Sequence, residues 1–271
     1  MPVLETEGLK RWQRRTGRES LGHWVMWLIG VAIFAYCWQQ ISQATTWFFV
    51  WDAPTIAEDI WTRATPPKWE YITQLGKPIW DTLNIATLGT IIALILAVPV
   101  AFLAARNTTP SALIIRPIAL LIIVATRSIN SLIWALLLIA IIGPGVFAGV
   151  IAIAIRSIGF CAKLLYEAIE EIDETQVEAI KATGATRWQV MAYGIVPQIL
   201  PAFAGIAVFR WDINIRESTV LGLVGAGGIG LQLSSSLNVL AWPQVSLILL
   251  VILAAVVISE WVSAKVRGAI I

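Results

Sequence analysis

The chain has 271 residues, of which 58% are hydrophobic and 13% are charged, and its net charge is only +2. A water-soluble domain carries about twice that share of charged residues, and so small a positive charge gives no basic surface for nucleic acid. The composition therefore excludes a soluble domain and a nucleic-acid-binding protein, and it predicts an all-α integral membrane protein.

The apolar residues fall into blocks of roughly 20 residues, the length that a helix needs to cross ~30 Å of hydrocarbon. We predict six transmembrane helices, at about 21–41, 82–105, 120–142, 146–168, 199–221 and 243–264. The third block belongs to an apolar run that begins at Ala112 and is too long for one untilted span. Its first part, ahead of Arg127, can instead lie along the cytoplasmic interface.

Lysine and arginine concentrate in alternate connecting segments, and this bias sets the orientation of a membrane protein. The segment before the first span carries five such residues, whereas the 42–81 segment carries three against five acids. The bias predicts that both termini are cytoplasmic. We divide the chain into a cytoplasmic segment with the first span (1–41), a periplasmic loop (42–81) and a transmembrane permease domain (82–271). Prolines and tryptophans in the loop predict a folded cap rather than a flexible linker.

Cysteine and histidine are too few to suggest a metal centre. Cys37 and Cys161 both lie in apolar blocks, and His23 is the one histidine of the sequence. Isolated residues of these types give no metal-ligand spacing and no disulfide framework. We therefore predict no metal site, and we interpret the cysteines as small packing residues.

The polar segment at about 173–197, between the fourth and fifth spans, is predicted to form two short helices. Asp173 or Thr175 can cap the first helix, and Gly184 can close it in the left-handed conformation. Thr186 and Gln189 have the spacing of a capping box that begins the second helix. We expect Pro197 and Pro201 to stop that helix before the fifth span. The result is a stiff cytoplasmic elbow.

This segment resembles the EAA loop of bacterial ABC importer permeases. The resemblance rests on Glu178-Ala179-Ile180, on Gly184 six residues after the glutamate, and on Val196-Pro197. Two positions depart from the family pattern, since Ile180 replaces the second alanine and Gly194 stands where an isoleucine is usual. The resemblance implies that the short helix docks in a groove of an ATPase subunit, with coupling residues Glu178, Ala179, Ala182, Gly184 and Pro197. The alternative is an ordinary amphipathic loop helix.

The fifth span contains an unusual run of polar and charged residues. Asp212 and Arg216 are four residues apart and can pair along one helical face, while Arg210, Asn214 and Glu217 share another face. Ionisable groups at membrane depth are costly unless they are paired or hydrated. One interpretation is a set of self-paired structural bridges. The other is a hydrated passage whose arginines attract an anionic solute, with Arg127 and Arg156 as further candidates.

A glycine segment follows the fifth span and contains Gly225, Gly227, Gly228 and Gly230. It satisfies the dinucleotide pattern G-x-G-x-x-G, but no acid occurs between Glu217 and Glu260, where the ribose ligand of that motif belongs. We therefore predict close backbone packing or a hinge at the outer mouth. The sequence contains no P-loop motif, so we expect the ATPase site to belong to another subunit.

Over nearly its whole length the chain resembles the phosphonate importer permeases. The likeness rests on the segments Thr82-Leu-Asn84, Arg127-Ser128-Ile129, the EAA-like loop, and Arg216-Glu-Ser-Thr219 running into the glycine segment. It implies a type I ABC importer permease (MetI-like) fold in a bacterial cytoplasmic (inner) membrane. It further implies a homodimer, two ABC ATPase subunits that bind ATP and Mg²⁺, and an extracytoplasmic solute-binding protein. No cofactor is expected in this chain.

Three alternatives stay open at the level of sequence. A methionine-type permease shares the EAA loop and a similar glycine segment, but has one span fewer and lacks the charged run in the fifth span. An ion-driven secondary transporter would use Arg210, Asp212 and Glu217 as coupling sites. An intramembrane hydrolase would need Asp212, Glu217 or His23 in a paired catalytic motif, and the sequence contains none.

Overall fold

A computed structural model of the chain describes residues 3–6, 9–12 and 17–270, with side chains from 18 to 269. The chain divides into two compact units, Met1–Trp61 and Thr62–Ile271. Arg14 and Arg15, which belong to the basic segment that predicts a cytoplasmic amino terminus, lie outside the described residues.

The first unit begins with a short antiparallel hairpin of β1 (Val3–Thr6) and β2 (Leu9–Trp12). The hairpin is the exception to the expected all-α fold, because the described chain from residue 17 onwards forms no strand. Helix α1 (Gly17–Ala44) contains the predicted first span. Helix α2 (Trp47–Ala64) follows and reaches into the second unit. The 42–81 segment is therefore largely helical, and its role as a periplasmic cap stays a prediction.

The second unit is a bundle of helices joined by short connections. In chain order these are α3 (Ile72–Ala104), α4 (Ile115–Ser128), α5 (Ser131–Ile142), α6 (Val146–Glu170), α7 (Glu174–Ala182), α8 (Arg187–Val190), α9 (Val196–Leu223), α10 (Ile229–Asn238) and α11 (Trp242–Ile270). A 3₁₀ turn (Trp69–Tyr71) precedes α3, and a π-helical turn (Met191–Ile195) joins α8 to α9.

Five helical segments of the described chain are long and apolar enough to cross a membrane, and the pair α4 and α5 makes a sixth if it counts as one span. The five are Arg18–Ala44, Trp69–Ala104, Val146–Glu170, Arg187–Leu223 and Trp242–Ala269. The prediction of six spans therefore agrees with the structure when the bent pair is counted as one. Helix α3 begins at Ile72 rather than near residue 82, because a helix can extend past the apolar stretch that crosses the hydrocarbon.

The third predicted span is not a straight helix. Helices α4 and α5 meet at an angle of 86°. The bend follows from local chemistry, since the side chain of Asn130 caps α5 by accepting a hydrogen bond from Leu132 N at 3.1 Å. A single straight helix over 120–142 is therefore wrong, whereas a change of direction near Arg127 was expected.

Small residues allow the central helices of the second unit to approach closely. Helix α3 packs against both α6 and α9. Its buried face carries residues spaced three, four or seven apart: Ala86, Ala93, Ala97, Ala101 and Ala104. Small side chains at helical spacing let backbones approach in membrane proteins, where packing rather than the hydrophobic effect joins helices. This close packing positions α6 against α9, where the charged residues lie.

Candidate functional site

The predicted elbow is present, and its turn geometry follows from two residues. The Asp173 carboxylate accepts a hydrogen bond from Thr175 N at 2.9 Å and so caps α7. The hydrogen bonds to Thr175 lower the pKa of the Asp173 carboxyl. At the other end Gly184 has φ +80°, a left-handed conformation that favours glycine, and its N–H donates to Lys181 O at 3.0 Å. The expected beginning and end of the short helix are thus confirmed.

Several side chains of α7 are exposed. Val177 is buried, whereas Glu178, Ala179 and Ala182 are exposed. Gly184 is exposed as well. A face with one carboxylate and two small alanines lets another backbone approach closely, which suits a helix that docks in a groove. The coupling role of these residues stays a prediction.

The two departures from the EAA pattern lie next to each other in the structure. Gly194 lies beneath α7, and a Cβ built on it would stand 3.3 Å from Cδ1 of Ile180 and 3.7 Å from Cα of Val177. The larger residue at 180 therefore occupies the space that a larger residue at 194 would need. We therefore expect that the two changes exchange volume across one contact and preserve the packing of the elbow.

Two polar side chains that the sequence did not single out hold the elbow in place. Gln198 accepts a hydrogen bond from Asp173 N at 3.0 Å and donates one to Gly194 O at 2.7 Å. Arg187 donates to the backbone oxygen of Thr108 at 2.7 Å. The signal for Gln198 was its position, as a polar residue in the apolar start of α9. The Gln198 bond connects the start of α7 to the first turn of α9, and the Arg187 bond connects α8 to the α3–α4 connection.

The expectation that prolines stop the second elbow helix is wrong. The helical segment continues from Arg187 to Leu223. Proline lacks an N–H, but Pro197 stands in the first turn of α9, where that group has no helical partner. The π-helical turn before it closes with a bond from Val196 N to Met191 O, which carries the chain through without a break. Pro201 lies inside the helix. Pro197 itself is exposed.

A charged cluster joins α6 to α9. Glu217 accepts from Arg156 Nη1 at 2.7 Å through Oε1, and from Arg210 Nη2 at 3.3 Å through Oε2. The predicted alignment of Arg210 with Glu217 on one face of α9 is thus confirmed, and Arg156 of α6 completes the cluster. The cluster holds two cations and one anion, so it keeps a formal charge of +1.

Ser157 and Asn214 connect this cluster to the packed interior. Arg210 Nε donates to Ser157 Oγ at 2.8 Å, and Asn214 Nδ2 donates to Ser157 Oγ at 3.2 Å and to Thr90 Oγ1 at 2.7 Å. Ser157 and Thr90 give no signal in the sequence, because short hydroxyl side chains hardly change the hydropathy of a span. Their partners show that the interface of α3, α6 and α9 is polar at this level.

The second predicted pair also forms, on a different face of α9. Arg216 Nη2 makes an ion pair with the Asp212 carboxylate, whose other oxygen accepts from Ser259 Oγ of α11 at 2.8 Å. Asp212 is buried, whereas the Arg216 side chain is 49% exposed. The charged run is therefore split, with one group towards α6 and the other towards α11.

Arg127 does not join either group. It lies exposed in the last turn of α4, and none of the ion pairs found among the described residues involves it. Arg156 and Arg210 lie about 15 Å and about 21 Å from the starts of α6 and α9, at 1.5 Å per residue. Both positions are near the middle of a span. Contact between any of these residues and a solute stays a prediction.

The glycine segment packs closely between α9 and α10. Gly225, Gly227 and Gly228 have positive φ angles. A Cβ on Gly230 would lie 1.9 Å from Thr219 O, so no larger residue fits there without moving the helices apart. At the start of α10, Thr82 Oγ1 accepts a hydrogen bond from Ile229 N at 2.8 Å. Of the two interpretations of this segment, close backbone packing is what the structure contains.

Within the described residues, no group of three or more His, Cys, Asp or Glu side chains lies together in a way that could hold a metal ion. The candidate site consists of the exposed residues of α7 and the arginine-rich interface of α6 and α9.

Comparison with known proteins places these features in a family context. Residues 97–266 match the family described as "Binding-protein-dependent transport system inner membrane component". The chain is 38% identical to the phosphite transport system permease protein PtxC of Stutzerimonas stutzeri, over 98% of this chain and 95% of that protein. It is 34% identical to the phosphate-import permease protein PhnE of Mycolicibacterium smegmatis, over 90% of this chain and 45% of that protein.

A solved structure shares the fold. A chain of the MetNI methionine ABC transporter, in an inward-facing conformation, superposes with a TM-score of 0.66 at 20% identity, covering 75% of this chain and 99% of that chain.

Proposed function

Because the chain belongs to the family of binding-protein-dependent transport system inner membrane components, we propose that it forms the translocation pathway of an ATP-driven importer for a phosphorus oxyanion. Phosphonate, phosphite and phosphate esters are the solutes that this proposal includes. The chain is a transport subunit and does no covalent chemistry. A separate ATPase subunit binds ATP and Mg²⁺.

The observation that carries the proposal is the place of α7 in the chain. Its exposed face with Glu178, Ala179 and Ala182 lies between α6, which ends at Glu170, and the continuous helical segment from Arg187 to Leu223. Those two helices carry the charged cluster. A force applied to α7 therefore acts at once on α6 and α9, the two helices that form the polar interface. This connection supports a coupling helix that transmits closure of the ATPase.

The substrate class is supported by charge and by the relatives. Arg156 and Arg210 lie near mid-span with a single carboxylate between them. An unpaired charge at that depth costs several kcal/mol, and charged residues there commonly mark substrate pathways. Arginine binds oxyanions through a planar pair of N–H groups. The relatives are named for phosphite transport and phosphate import, which favours a phosphorus oxyanion.

The proposed assembly contains two copies of this chain, two ABC ATPase subunits and an extracytoplasmic solute-binding protein. We place it in a bacterial cytoplasmic membrane with both termini on the cytoplasmic side, as the distribution of lysine and arginine favours. Transport proceeds by alternating access, in which ATP-driven closure of the ATPases rocks α6 and α9 and opens the outer mouth.

Co-purification tests the coupling face. We expect the tagged chain to be isolated from membranes together with an ABC ATPase. Ala182→Trp places a large side chain on the docking face and should abolish that association while insertion continues. Gln74→Trp adds the same side chain at an exposed position at the start of α3 and should leave the association unchanged. An Ala182→Trp variant that still retains the ATPase at the wild-type ratio would refute docking through this face.

A further inference from the structure

Glu217 is shared by two arginines that differ in how firmly they are held. Its Oε1 contacts Arg156 Nη1 at 2.7 Å, and its Oε2 contacts Arg210 Nη2 at 3.3 Å. One carboxylate thus spans the gap between a guanidinium on α6 and another on α9. Carboxylates and oxyanions offer arginine the same acceptor geometry.

Arg210 is fixed by further contacts. Its Nε donates to Ser157 Oγ at 2.8 Å, and its guanidinium carbon lies 5.1 Å from the centre of the Phe160 ring. Its side chain is only 2% exposed. Loss of the Glu217 contact would leave a buried cation, so Arg210 and Glu217 belong together structurally.

Arg156 is held mainly by Glu217. Among the described residues its other polar contact is with Ser131 Oγ at 3.5 Å, the limit of a hydrogen bond. Its side chain is 31% exposed although it lies about 15 Å along a helix of 25 residues. A partly exposed arginine at mid-span is costly against lipid and is tolerated where it meets water. We therefore infer that the open side of Arg156 faces water rather than lipid.

We propose that Glu217 is an exchangeable internal counter-ion, which occupies Arg156 in the empty permease and is displaced from it by the transported oxyanion. This inference rests on the proposed function. In the empty state Glu217 neutralises Arg156 at low cost. When an oxyanion binds Arg156, Glu217 stays with Arg210, so each arginine has an anionic partner in both states and the oxyanion neutralises the formal charge of +1 that the cluster otherwise keeps. Arg156 is then the arginine that touches the solute, and Glu217 sets how tightly the solute is held.

Removal of the competitor should tighten binding. In Glu217→Gln the carboxylate no longer competes for Arg156, and we expect the dissociation constant for phosphite to fall about tenfold, since close charge pairs couple at least this strongly. Arg156→Gln should weaken phosphite binding by at least about tenfold, because it removes the proposed ligand. A purely structural role of Glu217 would lower the amount of folded protein and would not tighten binding.

The measurement is a ³¹P NMR titration of inorganic phosphite into the permease–ATPase complex in lipid nanodiscs, without a solute-binding protein. Glu170→Gln is the matched control, because Glu170 is a part-buried carboxylate paired with Arg116 at 3.5 Å and far along α6 from Arg156. It should leave the phosphite affinity unchanged. Should Glu217→Gln fail to accumulate, Glu217→Asp keeps the charge beside Arg210 but is too short to span both arginines. It should give a smaller change in the same direction.

Two results would overturn the inference. One is a folded Glu217→Gln or Glu217→Asp complex whose phosphite affinity equals or falls below that of the wild type. The other is an Arg156→Gln complex that binds phosphite as the wild type does. The proposed function fails separately, if the wild-type complex with its ATPase and binding protein shows no ATP-driven uptake of any phosphorus oxyanion.

Discussion

The turn at Gly184 provides a graded perturbation of the elbow. Gly184 has φ +80°, and a Cβ built on it would meet nothing within 4 Å. Gly184→Ala therefore adds no clash. Its only effect on the free energy of the turn is the cost of holding a residue with a Cβ in the left-handed conformation, about 1–2 kcal/mol. At about 1.4 kcal/mol for each factor of ten, the native turn becomes about tenfold less favoured.

Gly184→Pro should have a larger effect. Proline requires φ near −65° and has no N–H, so it cannot adopt the turn, and the bond from residue 184 to Lys181 O at 3.0 Å is lost. We expect a cost of about 3 kcal/mol or more, which is over a hundredfold in the population of the native elbow.

Coupled transport measures this series. The permease variants are reconstituted with the ATPase and the binding protein, and substrate uptake is recorded per ATP hydrolysed. We expect the ratio to fall from wild type through Gly184→Ala to Gly184→Pro. Gly205→Ala is the control, since Gly205 lies inside α9 with open space around it and alanine suits a helix better than glycine. Wild-type coupling in Gly184→Pro would refute the role of the elbow.

Three further predictions concern packing, charge and capping. Ile180→Ala alone should destabilise the elbow by about 1–2 kcal/mol, because half-buried methylene groups are lost. The double variant with Gly194→Ile should recover coupled uptake. A double variant that shows no recovery would contradict the exchange of volume between positions 180 and 194. Arg210→Met leaves Glu217 with Arg156 alone and should cost about 3–5 kcal/mol in thermal unfolding of the purified protein, while exposed Arg127→Met should change stability by less than about 0.5 kcal/mol. Asp173→Ala should speed hydrogen exchange of the Thr175 amide. Because the pKa of this carboxyl is lowered in the folded state, the protection of that amide is complete above the unfolded pKa and is lost as the pH falls through the lowered value; protection that rises on acidification would contradict the cap.

Much of the elbow could be predicted because its signals are local. A capping carboxylate at 173 and a glycine at 184 act within one or two turns, and both stand where the sequence places them. Gln189 likewise accepts from Thr186 N at 2.8 Å, as the spacing predicts. The continuation of the helix through Pro197 could not be predicted, because it depends on a π-helical turn that no residue type specifies.

The charged cluster could be predicted only along its own helix. Spacing places Arg210 and Glu217 on one face of α9, but the register of α6 against α9 is a tertiary property. Ser157 therefore escaped notice, although it bonds to Arg210 at 2.8 Å. Arg156 was a candidate by depth alone, and its pairing with Glu217 follows from the close packing of α6 that the small residues of α3 allow.

The most direct test of the account is uptake of phosphite into proteoliposomes that contain the chain, its ATPase and its solute-binding protein. Uptake should require MgATP on the side of the membrane where the ATPase is bound. It should stop when vanadate is added, and it should be absent when the ATPase is omitted. Uptake that proceeds on a proton gradient without any ATPase would contradict it.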